Sequence, residues 1–341
     1  MKKKLGFKKK TEEQPRTEKE KVEQRREEVL AQGRKFKYPI QYEKHKIVII
    51  TIALATVAVV SLTIFTWADF YKIQDTGDIT YRVSRVLPIY VADVDGEKVR
   101  FSDYLMLFRS SMKAVEQQSG KLGSDDDAEY VRDRYKTDSL ENAEKYTFAI
   151  KLGKELGVEV SQDEINTKFD NYRKVGGADR SEAAFLKVIS DNFGLSKEEY
   201  LRQIYLSLMK EKVEEKIDDN AVKVAEKVES LLKQNGGDYK AVAESLGESV
   251  IIEETGGLVD NKNIDGGRAN IAASLKEGEQ SGKFVSNNGD GYYFVKLISK
   301  TETQVNYISI KVPFTEFEKR FSEIKESGKI TEYIEITKPE E

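Results

Sequence analysis

The longest apolar run is residues 47–68, IVIITIALATVAVVSLTIFTWA, without one charge. At 1.5 Å per residue such a run covers about 30 Å of hydrocarbon. Phe65, Trp67, Phe70 and Tyr71 crowd one end, as interfacial aromatics do. A buried core helix would need a polar face, which scattered Ser and Thr do not supply. A cleaved signal has a shorter apolar region, about 7–15 residues, and this run follows a 46-residue leader with no clear small-residue cleavage motif. The pattern predicts a transmembrane helix at 47–68. Before it, Thr17 with Glu20 forms a possible capping box for a solvated helix from about Thr17 to Ala31.

Beyond the span, 69–88 is polar and mixed and reads as a linker. Tyr90–Val94 and Lys98–Phe101 flank Asp95-Gly96, a strong hairpin signal. Ser102 then offers an N-cap to a helix carrying Tyr104, Leu105, Leu107 and Phe108. Apolar positions at helical spacing predict a helix over 139–156 closed by Gly157, and another opened by the box Ser161…Glu164 and broken at Gly176-Gly177. A third runs from Ser181 or Glu182 to Phe193. A fourth is opened by Ser196…Glu199 and carries Leu201, Ile204, Leu208, Val213 and Ile217. Further on, a helix is predicted at 221–233 and a short one after Asp238, with strands at 291–300 and 305–312. The segment after Pro313 reads as an amphipathic helix with Phe314, Phe317, Phe321 and Ile324, then a short strand. Its aromatic stripe reads as core rather than as a binding surface.

Composition narrows the chemistry. Cysteine is absent, so there is no disulfide framework or thiol nucleophile. The single histidine, His45, sits between Lys44 and Lys46 at the edge of the span and reads as an interfacial side chain. A catalytic triad or a multi-histidine zinc site is thereby excluded. Asp125-Asp126-Asp127 lacks the alternating spacing and closing Glu of a calcium loop and reads as a helix start. No phosphate-loop motif occurs, and Gly256-Gly257 and Gly266-Gly267 read as turns. The sequence therefore predicts no cofactor, no metal and no nucleotide.

Charge sets an orientation. Residues 1–46 hold 16 basic and 8 acidic side chains, and the remainder 40 basic and 52 acidic. The positive-inside rule puts the N-terminus in the cytoplasm and the rest outside. The Lys cluster KKKLGFKKK can serve as a topology signal in a soluble tail, or contact anionic lipid or another polyanion.

Several stretches resemble one family. They are V-D-G followed by an aromatic-rich helix, then A-x-x-L-G-K-E-L-G-V-x-V-S-x-x-E-I, then F-L-x-x-I-x-x-x-F-G-L-S-x-E-E-Y-L-R-x-x-I. Their order over about 130 residues is similar to the N-terminal chaperone region of the SurA/PrsA/PpiD group, membrane-linked parvulin-type foldases. DYKAVAESLG, Gly256-Gly257-Leu258, SLKEGEQSG and GYYFVKLISK resemble segments of that group's parvulin domain. The resemblance implies a single transmembrane helix, an extracytoplasmic mostly helical SurA-N-like region and a small α+β parvulin-like domain. The boundaries are 1–46 for a basic cytoplasmic tail, 47–68 for the span, 69–88 for the linker and 89–218 for the chaperone region. The parvulin-like domain is 219–300, and 301–341 is a C-terminal segment completing the fold, docked on the chaperone region.

The resemblance also implies two cleft histidines, and here it departs from the family. Tyr293 occupies the last-strand position. The usual first strand is missing ahead of helix 221–233, and 305–312 is expected to fill its slot from the C-terminal side, with Tyr307 where the other histidine would lie. No catalytic residue is assigned beyond these two tyrosines. Three functions remain: an ATP-independent chaperone for unfolded or nascent secreted polypeptides, a peptidyl-prolyl isomerase with a histidine-less cleft, and a non-enzymatic envelope scaffold.

Overall fold

The computed structural model describes residues 17–37, 39–123, 125–174, 180–263 and 265–336. The Lys cluster and the expected break at Gly176-Gly177 lie outside them. The chain divides into two units, Met1–Phe70 and Tyr71–Glu341.

The first unit contains α1 (Glu18–Lys37) and α2 (Pro39–Ala68). The Thr17 N–H donates to Glu20 Oε2 at 3.1 Å, one arm of the expected box, and α1 runs past the expected end at Ala31. One helix, His45–Ile73 including a π-helical turn at Asp69–Ile73, is long and apolar enough to cross a membrane by length and composition. None of its apolar window is buried, as a core helix would require. Thr51, Thr56 and Thr63 turn their hydroxyls back to carbonyls one turn earlier at 2.9 Å, so their polar groups are satisfied within the helix.

The second unit opens with α3 (Asp78–Val86), so the stretch 69–88, read from the sequence as a linker, contains a helix. Its buried face is Thr80, Tyr81 and Ser84. That face is polar, so hydrophobic periodicity does not reveal it. The hairpin β1 (Tyr90–Val94) and β2 (Glu97–Arg100) follows as expected, and Asp95 and Gly96 both take positive φ. Ser102 is not an N-cap. Helix α4 (Phe101–Ser119) begins one residue earlier and Ser102 is buried inside its first turn. Phe101, 1% exposed, donates its N–H to the Ile89 carbonyl at 2.9 Å, so the hairpin feeds straight into the helix.

Helix α5 (Asp126–Leu156) is longer than the predicted 139–156. Asp125 caps it, accepting from the Ala128 N–H at 2.9 Å. Its first three turns bury only Ala128, which is why no apolar stripe marks them. Gly157 ends it in the left-handed conformation. Helices α6 (Gln162–Lys174), α7 (Glu182–Phe193) and α8 (Lys197–Ile217) complete the helical layer. Both arms of the boxes at Ser161 and Ser196 form. Ser196→Ala is expected to lower stability by about 1 kcal/mol, read as a fall of about 2–4 °C in the thermal midpoint. An unchanged midpoint would mean that the cap does not hold α8.

Helices α9 (Asp219–Gln234) and α10 (Tyr239–Leu246) lead into a five-stranded antiparallel sheet. Its strands are β3 (Ile251–Glu254), β4 (Val259–Asp260), β5 (Phe284–Val285), β6 (Gly291–Lys300) and β7 (Gln304–Pro313), with the short helix α11 (Arg268–Ser274) before β5. The order is β3-β7-β6-β5, with β4 also on β7. The strand expected to enter from the C-terminal side is thus central. One face (Ile308, Ile310, Val312, Tyr292 and Phe294) packs on α9 and α10, while Val305, Tyr307, Val295 and Leu297 pack on α11. Gly291 makes the close approach of β6 to β7 possible, because a Cβ there would stand 2.4 Å from the Val312 carbonyl oxygen.

The chain then returns. Helix α12 (Glu316–Glu326) sets Phe317 and Phe321 against Phe148 of α5, at ring distances of 5.4 and 5.9 Å. Strand β8 (Ile330–Glu332) pairs antiparallel with β1, making a three-stranded sheet β2-β1-β8.

Candidate functional site

The period-two alternation of β7 puts Tyr307, Ser309 and Lys311 on one face of the larger sheet. Across the ladder they stand opposite Leu297, Val295 and Tyr293 of β6. Tyr293 and Tyr307, the two residues compared with the family's histidine positions, therefore share a face but do not meet. Four residues separate their registers, about 13 Å along the strand. Arg268, from the first turn of α11, stands with its guanidinium 5.3 Å from the Tyr293 ring centre. It ion-pairs with Glu253 of β3.

Each phenol is occupied. The Tyr307 hydroxyl donates to Asp265 Oδ2 at 2.6 Å, and that of Tyr293 to Asp290 at 3.2 and 3.3 Å. Each residue is 3% exposed. Burial, then the hydrogen bond and charge of Asp265, push the Tyr307 phenol far above the ordinary tyrosine range. Burial and the charge of Asp290 raise Tyr293 as well. Burial also works against the Asp290 carboxylate, but hydrogen bonds from Lys311 and Ser286 outweigh it and hold that carboxyl below its usual range. The face is thus a network of phenols and ion pairs in which each phenol hydrogen is already given to a carboxylate.

Sequence reasoning missed Arg268, Asp265, Glu253, Asp290 and Lys311. For Lys311 the signal was available in the alternation Y-I-S-I-K. The other four come from loops, a helix start and an edge strand whose approach no local pattern encodes.

A second feature lies in the helical layer. A cleft of about 580 Å³ opens between α3, α4 and the turn joining α7 to α8. Met106, Phe108 and Leu195 are its buried floor, and Met112 and Phe193 its partly exposed apolar walls. Tyr81 donates to Glu199 Oε1 at 2.6 Å, and Arg85 reaches the same oxygen at 3.2 Å. Burial pushes the Tyr81 phenol well above its usual range, and its bond to Glu199 adds to that. Glu199 is pulled both ways: burial works against its charge, and the bonds from Tyr81 and Ser196 keep it below the usual carboxylate range. The carboxylate that closes the α8 capping box thus also fixes one wall of the cleft.

Comparison with protein families gives one match, the SurA-like N-terminal domain, over residues 41–214. That is just over half of the chain. The chain belongs to the SurA-like N-terminal domain family. The matched residues take in most of α2, the β1-β2 hairpin, helices α3 to α7 and most of α8, so the residues lining the 580 Å³ cleft lie wholly inside the SurA-like region. No curated protein matches the chain. SurA-like domains mark a chaperone-type, extracytoplasmic family. The Tyr293 and Tyr307 face lies beyond the SurA-like match.

Proposed function

We propose that the chain is a membrane-anchored, ATP-independent chaperone that holds unfolded or nascent secreted and envelope polypeptides outside the cytoplasm. The observation that carries this reading is the SurA-like region with its own cleft of buried apolar floor and charged rim. Apolar burial in such a groove holds a chain without nucleotide hydrolysis, and Met106 and Met112 suit it to varied side chains because thioethers repack easily. In this reading residues 47–68 anchor the protein and the basic tail stays cytoplasmic, where it can touch anionic lipid. The sheet with Tyr293 and Tyr307 is then a parvulin-derived binding module. Prolyl isomerisation needs an amide twisted and desolvated in a cleft, and both tyrosines are sealed by their own carboxylate partners.

The test uses the full chain in zwitterionic lipid nanodiscs. Substoichiometric to stoichiometric amounts are expected to suppress aggregation of two unrelated unfolded proteins without ATP. Exchange of a short X-Pro peptide, followed by NMR, is expected to stay at its uncatalysed rate. Suppression of neither protein would sink the chaperone reading. Accelerated exchange that is lost in Tyr293→Ala would make the chain an isomerase.

A further inference from the structure

The cleft between α3, α4 and the α7–α8 turn carries a charge opposite to its surroundings. Everything after residue 46 is acidic, 52 acidic against 40 basic side chains. The cleft reverses that, with Arg82, Arg85, Arg109, Lys113 and Arg132 against Asp78, Glu116 and Glu199. Its internal pairs also leave a positive remainder. Arg109 is matched by Asp78, and Arg85 by Glu199. Arg132 spends its guanidinium on the Gly123 carbonyl, which does not cancel its charge. Arg82 and Lys113 make no ion pair or hydrogen bond among the described residues. Arg109 also donates to the Thr76 carbonyl at 2.8 Å and lies 5.1 Å from the Tyr81 ring, so this side chain is held in place while Arg82 and Lys113 stay available to a ligand.

We propose that this cleft selects extended polypeptide segments in which a large apolar side chain stands beside carboxylates. This rests on the chaperone reading and deepens it, by giving the held chain a charge preference. The apolar side chain fills the floor over Met106, Phe108 and Leu195. The volume, about 580 Å³, lies within the range of ligand clefts, roughly 300–1,000 Å³, and suits a few side chains rather than a folded surface. The neighbouring carboxylates meet Arg82 and Lys113 at the rim, where a guanidinium can grip a carboxylate through two parallel hydrogen bonds. A buried apolar floor of Met106, Phe108 and Leu195 favours a peptide over a lipid headgroup, which brings charge without a side chain to bury there.

The probes are a short fluorescent peptide alternating Phe with Asp and its counterpart with Lys for Asp. Each is titrated by anisotropy onto the full chain in zwitterionic nanodiscs. The Phe/Asp peptide is expected to bind at least about tenfold more tightly at low salt, with the advantage shrinking as salt rises. In Arg82→Glu/Lys113→Glu, which changes one exposed and one half-buried rim position, the preference is expected to invert. Equal binding of the two peptides to the unmodified chain, or an advantage indifferent to salt, overturns the proposal without any variant. A preference that survives the double substitution places it elsewhere on the molecule and also overturns it. Binding of phosphatidylglycerol vesicles that is lost in Arg82→Glu/Lys113→Glu, with neither peptide bound, would assign the cleft rather than the basic tail to lipid headgroups and overturn the proposal. Aggregation suppression separates this proposal from the reading beneath it. Suppression without charge preference removes the proposal alone, and charge-selective binding without suppression removes the chaperone reading and leaves the cleft as the site of a dedicated acidic partner.

Discussion

Replacing Phe317 with alanine is expected to destabilise the Tyr71–Glu341 unit by about 3–5 kcal/mol, the usual cost of emptying a buried aromatic position. Phe317 is 1% exposed. Its ring packs on Phe148 at 5.4 Å, and the Lys210 ammonium stands 5.0 Å from its centre. Phe321 repeats the contact one turn later, at 5.9 Å from Phe148. These two rings fasten α12 to α5 and α8, and α12 positions β8 on β1. The loss therefore extends beyond the cavity to the three-stranded sheet. At about 2–4 °C per kcal/mol, the thermal midpoint should fall by roughly 6–20 °C. Amides that close β8 onto the hairpin, such as that of Tyr333 bonded to the Val91 carbonyl, should exchange faster with solvent deuterium. A midpoint within about 2 °C of the parent would show that the returning segment is only laid on the helical layer.

Asp218→Ala is expected to be comparably damaging through polar chemistry. Asp218 is 1% exposed and sits where α8 gives way to α9. One carboxylate oxygen accepts from the Ala221 N–H at 2.8 Å, capping α9. The other accepts from the N–H groups of Thr315 and Glu316 at 2.7 and 3.0 Å, at the start of α12. One side chain therefore holds two helix N-termini nearly a hundred residues apart in sequence. Removing a buried charged acceptor leaves its three donors unpaired, and a loss of about 3–5 kcal/mol is expected, less than the sum of three separate bonds because the contributions are not additive. Asp218→Asn discriminates the mechanism. It keeps the shape but retains a single acceptor oxygen and turns an NH2 toward donors, so it should recover only part of the loss. Full recovery in Asn, measured by denaturant unfolding, would show that shape rather than the second acceptor matters.

Much of the local structure was legible in the sequence because its causes lie within a few residues. The Asp95-Gly96 turn needs only two positive φ angles. The boxes at Ser161 and Ser196 close between positions three apart. The apolar helix is written in 22 consecutive uncharged residues. Elements whose buried face is polar were not legible. Helix α3 hides Thr80, Tyr81 and Ser84, and satisfies them with Asp75, with Glu199 and with its own backbone, so it read as a linker. The early half of α5 buries almost nothing and left no stripe.

The sequence by itself thus determined the membrane-length helix, the absence of cysteine with a single histidine, and the helical caps and hairpin of a SurA-like region. Only the tertiary structure decided that Tyr293 and Tyr307 are held apart and spent on Asp290 and Asp265, that Asp218 joins α9 to α12, and that five basic side chains from three helices rim one cleft. The physical reason is range. Caps, turns and apolar runs draw their energy from neighbours along the chain. A buried carboxylate or a charged cleft draws it from partners a hundred residues away, which only the folded backbone brings within hydrogen-bonding distance.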